Sequence, residues 1–285
     1  MGILLFNLRG RLNTIVLGLW MAAFSLESNS EVVKTETFSL HGDFIQGGLV
    51  VGVAPKAKEV TFDGQPLRIS TKGEFVFGFG RDDEGGHSLV VVTSSGEIVT
   101  KHIDVEKREY RIQKIEGISK KIMSPSDSNL KRIRRENASV AKARKTDHAR
   151  TDFAQTFVWP LKGEITGVYG SQRVFNGVPK RPHFGVDVAA PVGTLVVSPA
   201  DGIVTLYNAD MFYSGGTLLI DHGHGVSSSF LHLDDSLVKE GQRVKRGEVI
   251  AKSGVSGRAT GPRGSAHIRA LAPAQTEGGP LGRSE

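Results

Sequence analysis

Apolar residues follow three different rhythms along this chain, and each rhythm predicts a different kind of element. An uncharged run from Thr14 to Leu26 (TIVLGLWMAAFSL) follows Arg9 and Arg11 and precedes polar LESNSE. It is shorter than the ~20 helical residues that cross a bilayer comfortably, and its basic flank lies on the N-terminal side, the order of a secretory signal. Residues 1–30 are therefore read as a signal peptide or N-terminal anchor, with Ala22 and Ala23 as small residues where cleavage could fall. From 32 to 106 short apolar runs alternate with turn residues: GGLVVGVAP, KEVTFDGQPLRIS, GEFVFGFGRDD, HSLVVVTSSGEIVTKHIDV. Asp63-Gly64 and Ser95-Gly96 separate strand-like segments, which predicts a small antiparallel β domain. Between 107 and 156 the rhythm becomes helical, with Asp127 or Ser128 as the cap and Leu130, Ile133, Asn137 and Val140 spaced by three, four and three. From Phe157 to Pro262 the strand pattern returns, and 263–285 shows neither the alternation of a closing strand nor a hydrophobic end to the fold.

Composition agrees with a mainly β chain: 35 glycines stand against 4 tyrosines and 2 tryptophans among 285 residues. The absence of cysteine excludes disulfides, Cys-ligated zinc, thiol nucleophiles and a lipidated N-terminal cysteine. Net charge is +6, and residues 107–150 alone hold fourteen Lys and Arg against five Asp and Glu. This suits anionic partners in general and predicts a basic helical linker between two β domains. Only one aromatic residue, Tyr110, interleaves the basic ones, so nucleic acid is not an expected partner.

Chemistry concentrates in RPHFGVDVAAPVGTLVVSPADGIV. If this segment is a strand, His183, Gly185 and Asp187 share one face while Phe184, Val186 and Val188 face a core. An imidazole and a carboxylate side by side form a candidate pair for zinc, whose nitrogen and oxygen ligands sit at ~2.0–2.2 Å. Gly185 leaves space for an ion and a substrate. His222 and His224 form a literal His-x-His within Asp221-His-Gly-His-Gly225, but glycines of a turn between strands explain that stretch without a metal, and only a structural or substrate-lining role is expected of His222. His41, His87 and His102 are scattered and read as ordinary surface or packing residues.

With HFGVDVAAPVGTLVVSPADGIV, GGTLLIDHGHGVSSSFLHLDD and VKEGQRVKRGEVIAKSGVSGRATGP in order and spacing, the chain resembles the lysostaphin-type, or LytM-like, peptidoglycan endopeptidases over residues 157 to 262. The resemblance implies a compact antiparallel β domain with a groove, Zn2+ as cofactor, and hydrolysis of the peptide cross-links of bacterial peptidoglycan. It implies His183 and Asp187 as the first two metal ligands and His232 as the catalytic histidine that positions water or steadies the oxyanion. An imidazole with an ordinary pKa of about 6.5 can exchange a proton near neutral pH. The implied location is the periplasm or cell envelope, with membrane contact only through an uncleaved N-terminal segment, and the 32–106 domain reads as a spacer or wall-positioning module.

The family runs from GRATGP into a His-x-His that supplies the third ligand, whereas here Gly261-Pro262 is followed by Arg263-Gly264-Ser265-Ala266-His267. Arginine is permanently cationic, and a serine hydroxyl is a poor zinc ligand beside imidazole. Three explanations stay open: His267 takes the third-ligand place; catalysis is lost, leaving a module that binds wall or activates another wall hydrolase such as an amidase; or 263–285 is an altered reading, by frameshift or truncation, of an intact ancestor. VKEGQRVKRGEVIAKSG also resembles the hairpin of biotinyl or lipoyl carriers, but Lys245 and Lys252 fall on strand flanks and not at a tight turn, so shared hairpin physics accounts for the likeness.

Overall fold

The computed structural model describes residues 31–117 and 126–257. The expected signal segment 1–30, the tail 263–285 and His267 lie outside the described residues.

Eight strands form the N-terminal unit: β1 (Glu31–Lys34), β2 (Ser39–Gly42), β3 (Leu49–Val53), β4 (Ala57–Phe62), β5 (Gln65–Pro66), β6 (Glu74–Gly78), β7 (Gly86–Thr93) and β8 (Ile98–Asp104). They make two antiparallel sheets, ordered β1-β2-β3-β6 and β5-β4-β7-β8. Strand alternation sends Leu40, Val50, Phe75 and Phe77 from one sheet and Val60, Phe62, Leu89 and Val91 from the other into a single core. Phe62 stacks on Phe77 with ring centroids 4.5 Å apart. Burying each such side chain contributes about 1.5–3 kcal/mol, the term that holds a sandwich of this size together. Asp63 and Gly64, at φ 50° and 73°, form the two-residue turn between β4 and β5.

The basic segment holds more than a helix. It contains β9 (Ile112–Ile115), helix α1 (Asp127–Arg144) and a single 3-10 turn at Asp152–Ala154. The cap differs from the expected one. Ser126 sits in extended backbone and its hydroxyl accepts from the Asn129 amide, while Asp127 occupies the first turn, where a negative charge complements the helix dipole. Leu130, Ile133 and Val140 are half-buried and Ala143 is buried, but Asn137 is exposed, so the contact stripe ends on alanine.

Ten strands form the C-terminal unit: β10 (Glu164–Gly167), β11 (Gln172–Phe175), β12 (Val178–Pro179), β13 (Asp187–Ala189), β14 (Leu195–Val197), β15 (Gly202–Met211), β16 (Gly215–Gly223), β17 (Val226–Ser236), β18 (Arg243–Val244) and β19 (Val249–Ser253). Six of them make one sheet in the order β14-β19-β17-β16-β15-β18, all pairs antiparallel. A β10-β13 ladder stands apart from that sheet, while Val188 of β13 joins the same core as Val196, Leu218, Ile220, Phe230, Leu233 and Ile250.

The two units meet through the linker and one loop. Strand β9 runs parallel to β11. Arg81 of the sandwich donates from Nε to the Gly170 carbonyl at 2.9 Å and lies 4.2 Å above the Tyr110 ring, whose hydroxyl donates to the Arg81 carbonyl. A Cβ on Gly47 would fall 2.2 Å from the Tyr169 ring and one on Gly170 1.9 Å from that of Tyr110, so the junction closes only because both residues are glycine. Burial in this junction pushes the Tyr169 hydroxyl up to about 12. On another side, buried Asp221 accepts from His148 Nδ1 at 2.8 Å and from Arg150 Nη2 at 2.6 Å, tying the chain after α1 to the end of β16.

Candidate functional site

His183 is not in a strand, contrary to the extended reading of HFGVD. Regular pairing starts only at Asp187, and the chain bends at Gly185. The difference matters physically. Four residues of straight strand separate Cα atoms by ~13 Å, too far for these side chains to touch; the bend folds His183 back, so that Nε2 lies 3.2 Å from Asp187 Oδ1. Both side chains are partly buried, 21% and 28% exposed.

Backbone contacts fix each member of the pair. The Gly170 amide donates to the His183 carbonyl at 2.7 Å, and the His183 amide donates to the Ser171 carbonyl at 2.8 Å. This is the loop that Arg81 holds from the sandwich. Asp187 opens β13 opposite Gly167 of β10, across a bulge. A Cβ on Gly167 would lie 2.5 Å from Asp187 Oδ2, so the absent side chain makes the cradle for the carboxylate.

The pair is chemically informative because of a bond it lacks. His183 Nε2 is buried and has no hydrogen-bond partner among the described residues, although a carboxylate oxygen lies 3.2 Å away. Buried polar atoms are normally satisfied. A buried ring nitrogen with a carboxylate oxygen 3.2 Å away fits two donors to one divalent cation, and imidazole and carboxylate are donors that zinc accepts. Among the described residues no cluster of three or more His, Cys, Asp or Glu forms around a common point.

His232 lies on β17, and its segment rests on the same core as the pair. Val186 and Val188 flank Asp187, Phe230 and Leu233 bracket His232, and all four belong to one packed cluster. The backbone at His232 is left-handed, φ 60°, at an irregularity where the β16–β17 register shifts between Leu218–Phe230 and Gly216–Leu233. Two residues of β17 there oppose one of β16, the geometry of a bulge that re-aims a side chain. The His232 amide donates to the Ser214 carbonyl at 2.7 Å, and the ring Nδ1 lies 2.8 Å from the Ser256 carbonyl. A carbonyl only accepts, so Nδ1 carries the proton, and in the neutral ring Nε2 is the basic nitrogen.

The His-x-His at 222–224 divides between two environments. His222 is fully buried at the end of β16, with Nδ1 donating to the Asp201 carbonyl at 2.6 Å and Nε2 accepting from Ser228 Oγ at 2.8 Å. Burial pushes its pKa down. His224 sits in the turn with Gly225 at φ 49°, its ring 4.7 Å from that of Phe153, and its pKa is also lowered by burial. Both His222 nitrogens are occupied by protein hydrogen bonds, which suits a structural role. Gly167 and Ser256 escaped sequence reasoning. A glycine inside GEITGVYG signals a close approach; nothing in SGVSG singles out its second serine.

A bent His-x-x-x-Asp segment and a bulged histidine strand thus lie over one antiparallel core. Residues 181–273 match the profile of Peptidase family M23, and the C-terminal part of the chain carries a domain of that kind. Among characterised relatives, peptidoglycan DD-endopeptidase ShyA of Vibrio cholerae is 44% identical over 103 residues, covering 35% of this chain and 24% of the relative. Peptidoglycan DD-endopeptidase ShyB of the same organism is 47% identical over 81 residues, covering 28% and 19%. The match thus spans about a quarter or less of the length of these relatives. A crystal structure from Pseudomonas aeruginosa assigned to peptidase M23 superposes with a TM-score of 0.60 at 28% identity, covering 80% of this chain and 90% of its own. That coverage exceeds the C-terminal unit alone and takes in part of the N-terminal region.

Proposed function

We propose that this protein hydrolyses peptide cross-links of bacterial peptidoglycan as a zinc-dependent endopeptidase acting in the cell envelope. The observation that carries the reading is the approach of the buried His183 Nε2 to Asp187 Oδ1 at 3.2 Å. The relatives named as peptidoglycan DD-endopeptidases support the substrate class. His183 and Asp187 would hold the ion, which when bound polarises a peptide carbonyl and lowers the pKa of water.

The chain's own residues do the rest of the work in this reading. Loop 168–171 and the Gly167 cradle hold the two donors at fixed separation, limiting the reorganisation needed on binding. His232 takes or gives a proton at Nε2, because the Ser256 carbonyl keeps Nδ1 protonated. The net charge of +6 favours approach to an anionic wall. The basic-then-apolar order of residues 1–30 supports export in this reading.

The test is digestion of purified peptidoglycan by the full chain. Peptide release that a chelator abolishes, zinc restores and His183→Ala eliminates is the expected result. Full zinc occupancy without any release overturns the hydrolase reading, and stimulation of an amidase by parent and His183→Ala alike would replace it with the regulator.

A further inference from the structure

We propose that Ser256 is a positioning residue for His232, a hydroxyl clip that selects which ring nitrogen of the histidine carries the proton. The proposal rests on the assignment of His232 to the hydrolytic site, but its geometry and its readout do not require turnover.

Three observations carry it. First, His232 is held in a conformation that a non-glycine residue avoids: φ is 60°, at a bulge in β17. A left-handed non-glycine residue is strained and persists only where its surroundings over-determine it. Second, the surroundings that do so converge on Ser256. Its Oγ accepts from the Gly216 amide at 2.8 Å and donates to the Leu233 carbonyl at 2.7 Å, bridging the start of β16 to the residue directly after His232. Its own carbonyl accepts the His232 Nδ1 proton at 2.8 Å. One residue thereby anchors the bulge on one side and the imidazole on the other. Third, space has been made for it. A Cβ on Gly215, which sits at φ 59°, would lie 2.3 Å from Ser256 Oγ, so glycine at 215 is what allows the serine to approach.

The consequence is specific. A free neutral imidazole favours the proton on Nε2, the opposite of what a base working through Nε2 needs. Here the Ser256 carbonyl, fixed in place by its own hydroxyl, reverses that preference. Remove the hydroxyl and the carbonyl loses its two anchors, so the ring is released from the Nδ1–H form although no atom of His232 has changed. A residue serving only packing would not move the tautomer.

The experiment is nitrogen-15 NMR of the histidine side chains in the full chain, at a pH about two units above the ordinary imidazole value of about 6.5, where the rings are neutral. His222, whose Nδ1 donates to the Asp201 carbonyl, serves as internal control for an intact fold. The parent is expected to show the Nδ1–H signature at His232. Ser256→Ala should shift the His232 tautomer ratio toward Nε2–H by roughly five-fold or more, the effect of one net hydrogen bond, with His222 unchanged. Ser256→Thr, which keeps the hydroxyl, should retain the parent signature. Ser256→Cys, which keeps the size but weakens both anchoring bonds, should shift the ratio in the same direction with less disturbance than alanine. An Nε2–H signature in the parent, or a His232 signature untouched by both Ala and Cys, overturns the proposal. Peptidoglycan digestion is scored separately, so the clip can hold in a chain that fails to cleave, and cleavage can persist where the clip is refuted.

Discussion

Acidification from about pH 6.5 to about pH 5 should destabilise the C-terminal unit through His222, and His222→Gln should flatten that dependence. The ring is fully buried, donates from Nδ1 to the Asp201 carbonyl and accepts at Nε2 from Ser228. Burial is the largest influence and lowers its pKa; the Asp201 carbonyl and the carboxylates of Asp221 and Asp152 oppose that, Arg150 adds to it, and the net shift is downward. The unfolded chain therefore binds the proton at higher pH than the folded one. The stabilisation is fully present above the unfolded value of about 6.5 and is lost as pH falls from there through the folded value. One differential proton is worth up to about 1.4 kcal/mol per pH unit. His224, lowered by burial as well, adds a second proton of the same sign, so the parent slope reaches at most about 2.7 kcal/mol per unit and the glutamine variant about half of that. The carboxylates with lowered values, Asp152 and Asp201, protonate below this window and do not contribute to it. Urea unfolding of parent and variant, followed by circular dichroism in the transition that carries the C-terminal unit, measures both slopes. The variant should also be less stable at pH 7.5 by about 1–3 kcal/mol, because Ser228 and the Asp201 carbonyl lose a shaped partner. That offset is a matter of level, and the slope decides: identical slopes in the two proteins refute the argument.

Three further outcomes follow from particular contacts. Gly167→Ala puts a methyl 2.5 Å from Asp187 Oδ2; the carboxylate can swing aside, so the melting temperature should change little while affinity for Zn2+, measured by calorimetry, drops roughly ten- to hundred-fold. Gly170→Ala combines a φ of 80° with a methyl 1.9 Å from the Tyr110 ring and should cost about 2–4 kcal/mol in denaturant unfolding, since that ring is locked under Arg81. Asp152→Asn removes one of the two carboxylate partners of Arg150 and of Arg243 at the 3-10 turn, leaving them Asp221 and Asp201; with Arg243 38% exposed, the loss should be about 1–3 kcal/mol, less than for a fully buried pair, and should diminish in high salt.

The β architecture was legible because its signal is local. Alternation in LVVGV and EFVFG, and a turn at Asp63-Gly64, state strand and hairpin within a few residues, and both lie where expected. Helix α1 was legible in place but not in its start, since Ser126, Asp127 and Ser128 are all competent caps and only tertiary context selects the first. The residue identities of the His183 and Asp187 pair could be read, but not the reason they meet. A strand rule put them on one face, whereas contact at 3.2 Å comes from the bend at Gly185, a backbone event that period-two patterning does not encode. Strand β9, set within a basic stretch, escaped notice because its pairing partner β11 lies about sixty residues away in sequence and no local pattern announces a non-local parallel pair.

The parts that sequence missed have a common character: they position groups without doing chemistry. Gly167 makes room for a carboxylate, Gly170 and Arg81 hold the loop that pins His183, and Ser256 braces the bulge that aims His232. Each is one ordinary residue whose meaning depends on a neighbour distant in the chain. The Arg81 contact shows why the sandwich is more than a spacer mechanically: its guanidinium grips Gly170, whose amide in turn holds the His183 carbonyl. A disturbance in the N-terminal core therefore has a two-bond route to the imidazole. Because that route runs through hydrogen bonds to backbone, side-chain substitutions within loop 168–171 should matter less than substitutions that change its backbone freedom, and Gly170 is where the two effects coincide.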